Sequence, residues 1–191
     1  MDARERIWRE RGLREAVLAG DEAAWRQWYD ETCPELLAYV LWRCGGLRDH
    51  AEEVLQETWL TAVRRLPSFD PSAGSFAGWL RGIAANVLRN HLRREGRRRV
   101  SPCPATAGTA EPADAAAEKR ERAESIARAL AELPERYEAV LRAKYLDGRS
   151  MNEIAAAWDE TPKAVESLLT RAREAFRTAY LRRESNHDRH P

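Results

Sequence analysis

Cysteines, glycine-rich loops and long apolar runs are all scarce in this chain, and each scarcity removes a class of protein. Three cysteines occur in 191 residues. Cys33, Cys44 and Cys103 are widely spaced and form no CxxC pair, so neither a disulfide framework nor a zinc site is indicated. His50, His91, His187 and His190 add no metal-ligand spacing, and no nucleophile motif or phosphate-cradling loop occurs; neither an enzyme, a metal nor a cofactor is expected. No apolar segment approaches the roughly 20 residues of a membrane span, and the opening MDARERIWRERGLRE has no signal-peptide core, which predicts a cytoplasmic address without membrane insertion. Net charge is only +1, so any affinity for a polyanion must come from local patches. No segment alternates as a strand, and no internal repeat is visible.

What is present is amphipathic helix. The run from Ser150 to Tyr180, SMNEIAAAWDETPKAVESLLTRAREAFRTAY, predicts two helices joined by a tight turn near Asp159. Ser150 with Glu153 three residues on is a capping-box start, and Thr161-Pro162 reopens the helix with a cap residue and a proline at the first helical position. Val165, Leu168, Leu169, Ala172, Phe176, Ala179 and Tyr180 then recur as a buried stripe, opposite Lys163, Glu166, Ser167, Thr170, Glu174 and Arg177. A polar helix face behind a short turn suits the major groove of DNA; an ordinary amphipathic hairpin in a bundle is the bland alternative.

The charge is gathered in patches. RNHLRREGRRR, Arg89 to Arg99, holds six arginines against the single acid Glu95, more than a helix C-terminus needs to match its dipole. Asp49, Glu52, Glu53 and Glu57 collect at the start of another helix. Residues 100 to 118, VSPCPATAGTAEPADAAAE, carry three prolines and no periodic apolar face, the composition of a flexible connector. The chain is therefore expected to be all-α, two small helical domains joined by a flexible linker. The boundaries are 1–95, a connector over 96–119, a helix-turn-helix domain over 120–183, and a tail over 184–191.

Three helical patterns precede the connector: Asp21 to Trp42, Asp49 to Leu66 with Val54, Leu55, Trp59, Ala62, Val63 and Leu66 inward, and Phe76 to Arg94 with Trp79, Leu80, Ile83, Ala84 and Val87 inward. On the third, Asn86, Arg89, Asn90, Arg93 and Arg97 share one face at about 100° per residue. Asparagine both donates and accepts, so it can read base edges where arginine anchors phosphate. The turn-rich Ser68 to Ser75 precedes this helix and could fold over an extruded base, and Trp79 offers either a stacking surface or plain core.

The chain resembles the extracytoplasmic-function sigma factors, the small bacterial promoter-recognition subunits. The resemblance rests on AGDEAAWRQWYDETCPELLAYVLWR (Ala19 to Arg43), AEEVLQETWLTAVRRLPSFDP (Ala51 to Pro71), SFAGWLRGIAANVLRNHLRR (Ser75 to Arg94), ALAELPERYEAVLRAKYLDGRSMNEIA (Ala129 to Ala155) and VESLLTRAREAFR (Val165 to Arg177), in that order. It implies that the first domain binds core RNA polymerase through Asp49, Glu52, Glu53, Gln56 and Glu57. The same domain would capture the promoter's −10 element through Asp70, Ser72, Ser75, Trp79, Asn86, Arg89, Asn90, Arg93 and Arg94. The second would bind the −35 element through Lys163, Glu166, Ser167, Thr170, Arg171 and Arg173. It also implies an anti-sigma factor as partner, besides polymerase and promoter DNA.

Two departures from the family pattern stand out. His50 stands before Ala51-Glu52 where another acid is usual, and Glu166 and Leu168 occupy frequently basic positions. Leu168 falls on the apolar stripe; Glu166 either accepts from cytosine N4 or lowers non-specific phosphate affinity. The competing classes are a stand-alone helix-turn-helix regulator, which would normally dimerise to reach two half-sites although no dimer stripe is visible, and a protein-only adaptor, which the arginine run disfavours.

Overall fold

The computed structural model describes residues 2–98 and 113–187, with side chains over 2–94 and 117–182. Among these residues there are eight α-helices, one short 3-10 turn and no strand. The order is α1 (Ala3–Leu18), α2 (Glu22–Arg43), α3 (Arg48–Arg65), a 3-10 turn (Leu66–Ser68), α4 (Phe76–Arg98), α5 (Ala113–Glu132), α6 (Glu135–Tyr145), α7 (Met151–Trp158) and α8 (Pro162–His187). The chain divides into two compact units, α1 to α4 and α5 to α8, with Trp42–Leu47, the end of α2 and the turn after it, grouping with the second.

The connector expected over 96–119 is shorter than its composition suggested, because α4 runs on to Arg98 and α5 already begins at Ala113. Its opening, ADAAAE, is read as linker for want of an apolar face, yet alanine is the strongest helix former. The remainder of the connector, with Cys103, and the tail residues 188–191, with His190, lie outside the described residues.

In the first unit α3 packs along α4, and aromatics fill the space between the helices. Phe76 stacks on Trp28 with ring centroids 3.7 Å apart and meets Phe69 edge-on at 5.4 Å. Val40, Val54, Ala62, Leu80, Ile83, Ala84 and Val87 complete this core. Val63, expected inward, is instead 54% exposed. An apolar residue at the edge of a stripe fits the periodicity whichever way it faces.

The second unit closes on α8. Val140 and Leu141 of α6, Ile154 and Ala155 of α7, and Val165, Leu168, Leu169 and Ala172 of α8 form one buried cluster. Burying each large aliphatic side chain contributes about 1.5–3 kcal/mol, and that apolar stripe leaves the opposite face of α8 to solvent.

Candidate nucleic-acid interface

Local chemistry sets the helix-turn-helix. Ser150 Oγ accepts the Glu153 N–H at 3.2 Å, and Glu153 Oε2 accepts the Ser150 N–H at 2.7 Å, closing the capping box. The hydrogen bond from the Ser150 hydroxyl, and then the one from its backbone N–H, hold the Glu153 carboxyl below its usual range. Asp159 ends α7 in the left-handed region at φ 54°, a conformation aspartate tolerates better than most residues. The Glu160 N–H returns to the Ala155 carbonyl at 2.9 Å, and Thr161 Oγ1 caps α8 by accepting the Ala164 N–H at 3.1 Å.

All six expected reading residues of α8 are exposed: Lys163, Glu166, Ser167, Thr170, Arg171 and Arg173. Leu168 is buried and packs. The six are not equivalent. The Thr170 hydroxyl donates back to the Glu166 carbonyl at 3.0 Å, and Arg171 Nε to the Ser167 carbonyl at 3.3 Å. Arg171 also borders a cleft of about 470 Å³ lined by Leu133, Pro134, Tyr137 and Glu174. Arg173 donates to the Tyr145 hydroxyl at 2.8 Å with its guanidinium 5.7 Å from that ring's centroid, a cation–π geometry. Lys163, Glu166 and Ser167 therefore present the first turns of the helix, while Arg171 and Arg173 flank it on opposite edges.

In the first unit, Asn86, Arg89, Asn90, Arg93 and Arg94 are all exposed on α4. The Arg89 guanidinium donates to Asn86 Oδ1, fixing that amide's orientation. The side chains of Arg97, Arg98 and Arg99 lie outside the described set. The loop before α4 is ordered by its own polar groups. Asp70 Oδ1 accepts the Ser72 N–H at 2.9 Å and the Ser72 hydroxyl at 2.7 Å, and these two bonds, the hydroxyl first, lower the Asp70 pKa. Ser75 caps α4 by accepting the Gly78 N–H at 3.1 Å. Trp79 is half-buried against Phe69 and Phe76, with centroids at 5.2 and 5.7 Å, so most of its ring is engaged in the core. The structure does not bring the loop and the asparagines to one point: Asn86 lies ten residues beyond Phe76, about 15 Å along the helix axis. They bracket a track rather than a single pocket.

The third group lies on α3. Asp49, Glu52, Glu53 and Gln56 are exposed, whereas Glu57 is half-buried and hydrogen-bonded to His91 Nε2 of α4 at 2.7 Å. Composition did not reveal that the same face continues into apolar residues. Leu60 and Val63, 52% and 54% exposed, follow Glu53 and Gln56 at intervals of seven, so α3 presents acids in its first turns and an apolar patch in its last.

Two units, one offering a polar and basic helix face beside an ordered loop and the other a helix-turn-helix, define a class of bipartite helical proteins. Residues 29–98 match the family described as Sigma-70 region 2, and residues 123–176 that described as Sigma-70, region 4. The ECF RNA polymerase sigma factor SigF of Caulobacter vibrioides is 32% identical over 159 residues, covering 83% of this chain and 87% of the relative. SigE of Mycolicibacterium smegmatis is 30% identical over 175 residues, 87% of this chain. BldN of Streptomyces coelicolor is 28% identical over 170 residues, 84% of this chain. The chain spans 66% of the length of that SigE and 61% of that BldN. It belongs to the extracytoplasmic-function RNA polymerase sigma factors, a family of transcription initiation factors. With regions 2 and 4 in one chain, a stand-alone helix-turn-helix regulator is set aside.

Proposed function

We propose that this chain joins core RNA polymerase through the exposed face of α3, reads the upstream promoter element in duplex form with α8, and holds the unpaired strand of the downstream element along α4 and its preceding loop. The observation that carries this reading is the pairing, in one chain, of the region 2 and region 4 matches with two exposed polar helix faces. Lys163, Glu166 and Ser167 meet base edges, and Arg171 and Arg173 flank them toward the phosphates. Asn86 and Asn90 offer donors and acceptors to bases, while Arg89, Arg93 and Arg94 neutralise the backbone. The role is that of a non-catalytic initiation subunit acting in the cytoplasm, controlled by an anti-sigma factor; among the described residues no helix is long and apolar enough to cross a membrane.

Reversing charge at Glu52 and Glu53 together should weaken competition for core polymerase while leaving the helical content unchanged. Each exposed pair contributes at most about 1 kcal/mol, so the combined loss is about tenfold and shrinks as salt rises. Glu57 is left alone in this test because its bond to His91 ties α3 to α4. An affinity unchanged by the double reversal at low salt would remove α3 from the polymerase interface.

A further inference from the structure

The first helix has no part in the reading above, yet its side chains hold the backbone of the loop that precedes α4. Arg6, Glu10 and Arg14 stand four residues apart on α1 and form one stripe. Arg6 Nη1 donates to the carbonyls of Pro71 at 3.2 Å and Gly74 at 3.1 Å, and to Glu10 Oε2 at 2.8 Å. Glu10 Oε1 accepts the N–H of Phe76, the first residue of α4, at 3.0 Å. Arg14 donates to the carbonyls of Leu66 at 3.4 Å and Pro67 at 2.7 Å. Four loop carbonyls and one amide thus find their partners on α1. The Leu66 carbonyl also accepts the Phe69 N–H at 3.0 Å and the Arg14–Pro67 bond lies at the surface, but the Phe76 amide is buried and requires an acceptor, and Glu10, only 8% exposed, sits inside the unit to supply it.

We propose that α1 is a splint that sets the shape of the loop 66–75, and that Arg6, Glu10 and Arg14 are positioning residues for base selection in the downstream promoter element. The inference rests on the reading that this loop contacts an unpaired base. Beyond the 3-10 turn Leu66–Ser68, the bonds of Asp70 to Ser72 and Ala73 close a local turn but do not tie residues 70–75 to the rest of the unit, so without α1, binding a base would carry the cost of ordering their placement. Tied at both ends and in the middle to a helix, the loop meets the base already shaped, and a mismatched base finds no adapted conformer. Within the loop, Phe69 is buried and meets Phe76 of α4 edge-on at 5.4 Å, a second tie to the core.

The test uses holoenzyme reconstituted with Glu10→Ala, Glu10→Gln or Arg6→Met, measuring opening on templates that carry each of the four bases in turn at each downstream-element position. Glu10→Ala leaves the Phe76 amide buried without an acceptor, and the ratio of preferred to worst base should fall about tenfold at one nucleotide. Core affinity should be unchanged. Glu10→Gln keeps an acceptor for that amide and should retain most of the discrimination. Amide exchange at Phe76 should quicken in the alanine variant and not in the glutamine one. Arg6→Met keeps the Glu10–Phe76 bond, so it carries the test, with a loss in the same direction, should Glu10→Ala not fold. Unchanged base ratios in the folded variants, together with an opening defect in an Asn86→Ala/Asn90→Ala protein, would overturn the splint and leave the reading of the α4 face standing. Unchanged ratios with no asparagine defect would overturn both. An equal loss for all four bases would show that α1 acts on stability alone, which also overturns the proposal.

Discussion

Alanine at both Asn86 and Asn90 should cut promoter opening by about thirtyfold or more, with closed-complex binding nearly unchanged. The two amides stand exposed one turn apart on α4, Asn86 oriented by Arg89, and neither packs in the core, so the fold survives their loss. Bases that have left the stack offer edges to these amides, and each well-formed amide–base contact is worth about 1–3 kcal/mol of discrimination or stability. Duplex DNA offers no such edge to α4 before melting, which confines the defect to opening. A pre-opened bubble template removes much of the unstacking cost and should restore part of the activity. Substitution of Lys163 and Arg171 should act in the opposite sense, weakening the closed complex and gaining little from the bubble, because α8 meets the major groove before any strand separates. Equal losses for both variants on both templates would show that the two faces have been assigned wrongly.

Phe76→Ala should destabilise the first unit by about 3–5 kcal/mol. The ring is 1% exposed, lies 3.7 Å from Trp28 centroid to centroid, and also touches Phe69, Trp59 and Trp79. Its removal empties the centre of the aromatic cluster, and the rings around it cannot collapse without leaving their own contacts. Set against a domain stability of about 5–15 kcal/mol, that loss should lower the thermal midpoint of α1 to α4 steeply. The α7–α8 cluster shares none of these rings, and amide exchange there should be unaffected. A loss under about 1 kcal/mol would mean that the aromatic cluster is not the core of the unit.

The parts of the molecule that were legible in the sequence are those written in local chemistry. Ser150 with Glu153, and Thr161 with Pro162, each fix a helix start within one turn, so both helices and the turn at Asp159 follow from the residues themselves. The buried stripe of α8 is equally local, and with it the exposure of Lys163, Glu166, Ser167 and Thr170. Contacts between distant residues left no such trace. Arg6, Glu10 and Arg14 have the spacing of an ordinary solvated charge stripe, and nothing in it announces that Glu10 meets an amide 66 residues away. Glu57 has the composition of an exposed acid, but His91, brought in by α4, takes it up. Val63 fits the inward period of α3 and faces out, because periodicity defines a face without saying how far around it the partner helix reaches. Trp79 admitted both a stacking and a core role, and Phe69 and Phe76 engage most of it.

Among the possible measurements, protection and strand opening of a promoter fragment, probed with and without core RNA polymerase, bear most directly on the whole proposal. With core enzyme present, this chain should protect the upstream and downstream elements together and render the downstream bases reactive to single-strand probes. Without it, neither protection nor reactivity should appear at the same concentration. Sequence-specific protection by the chain alone, unchanged by adding core polymerase and with no open bases, would contradict the proposal.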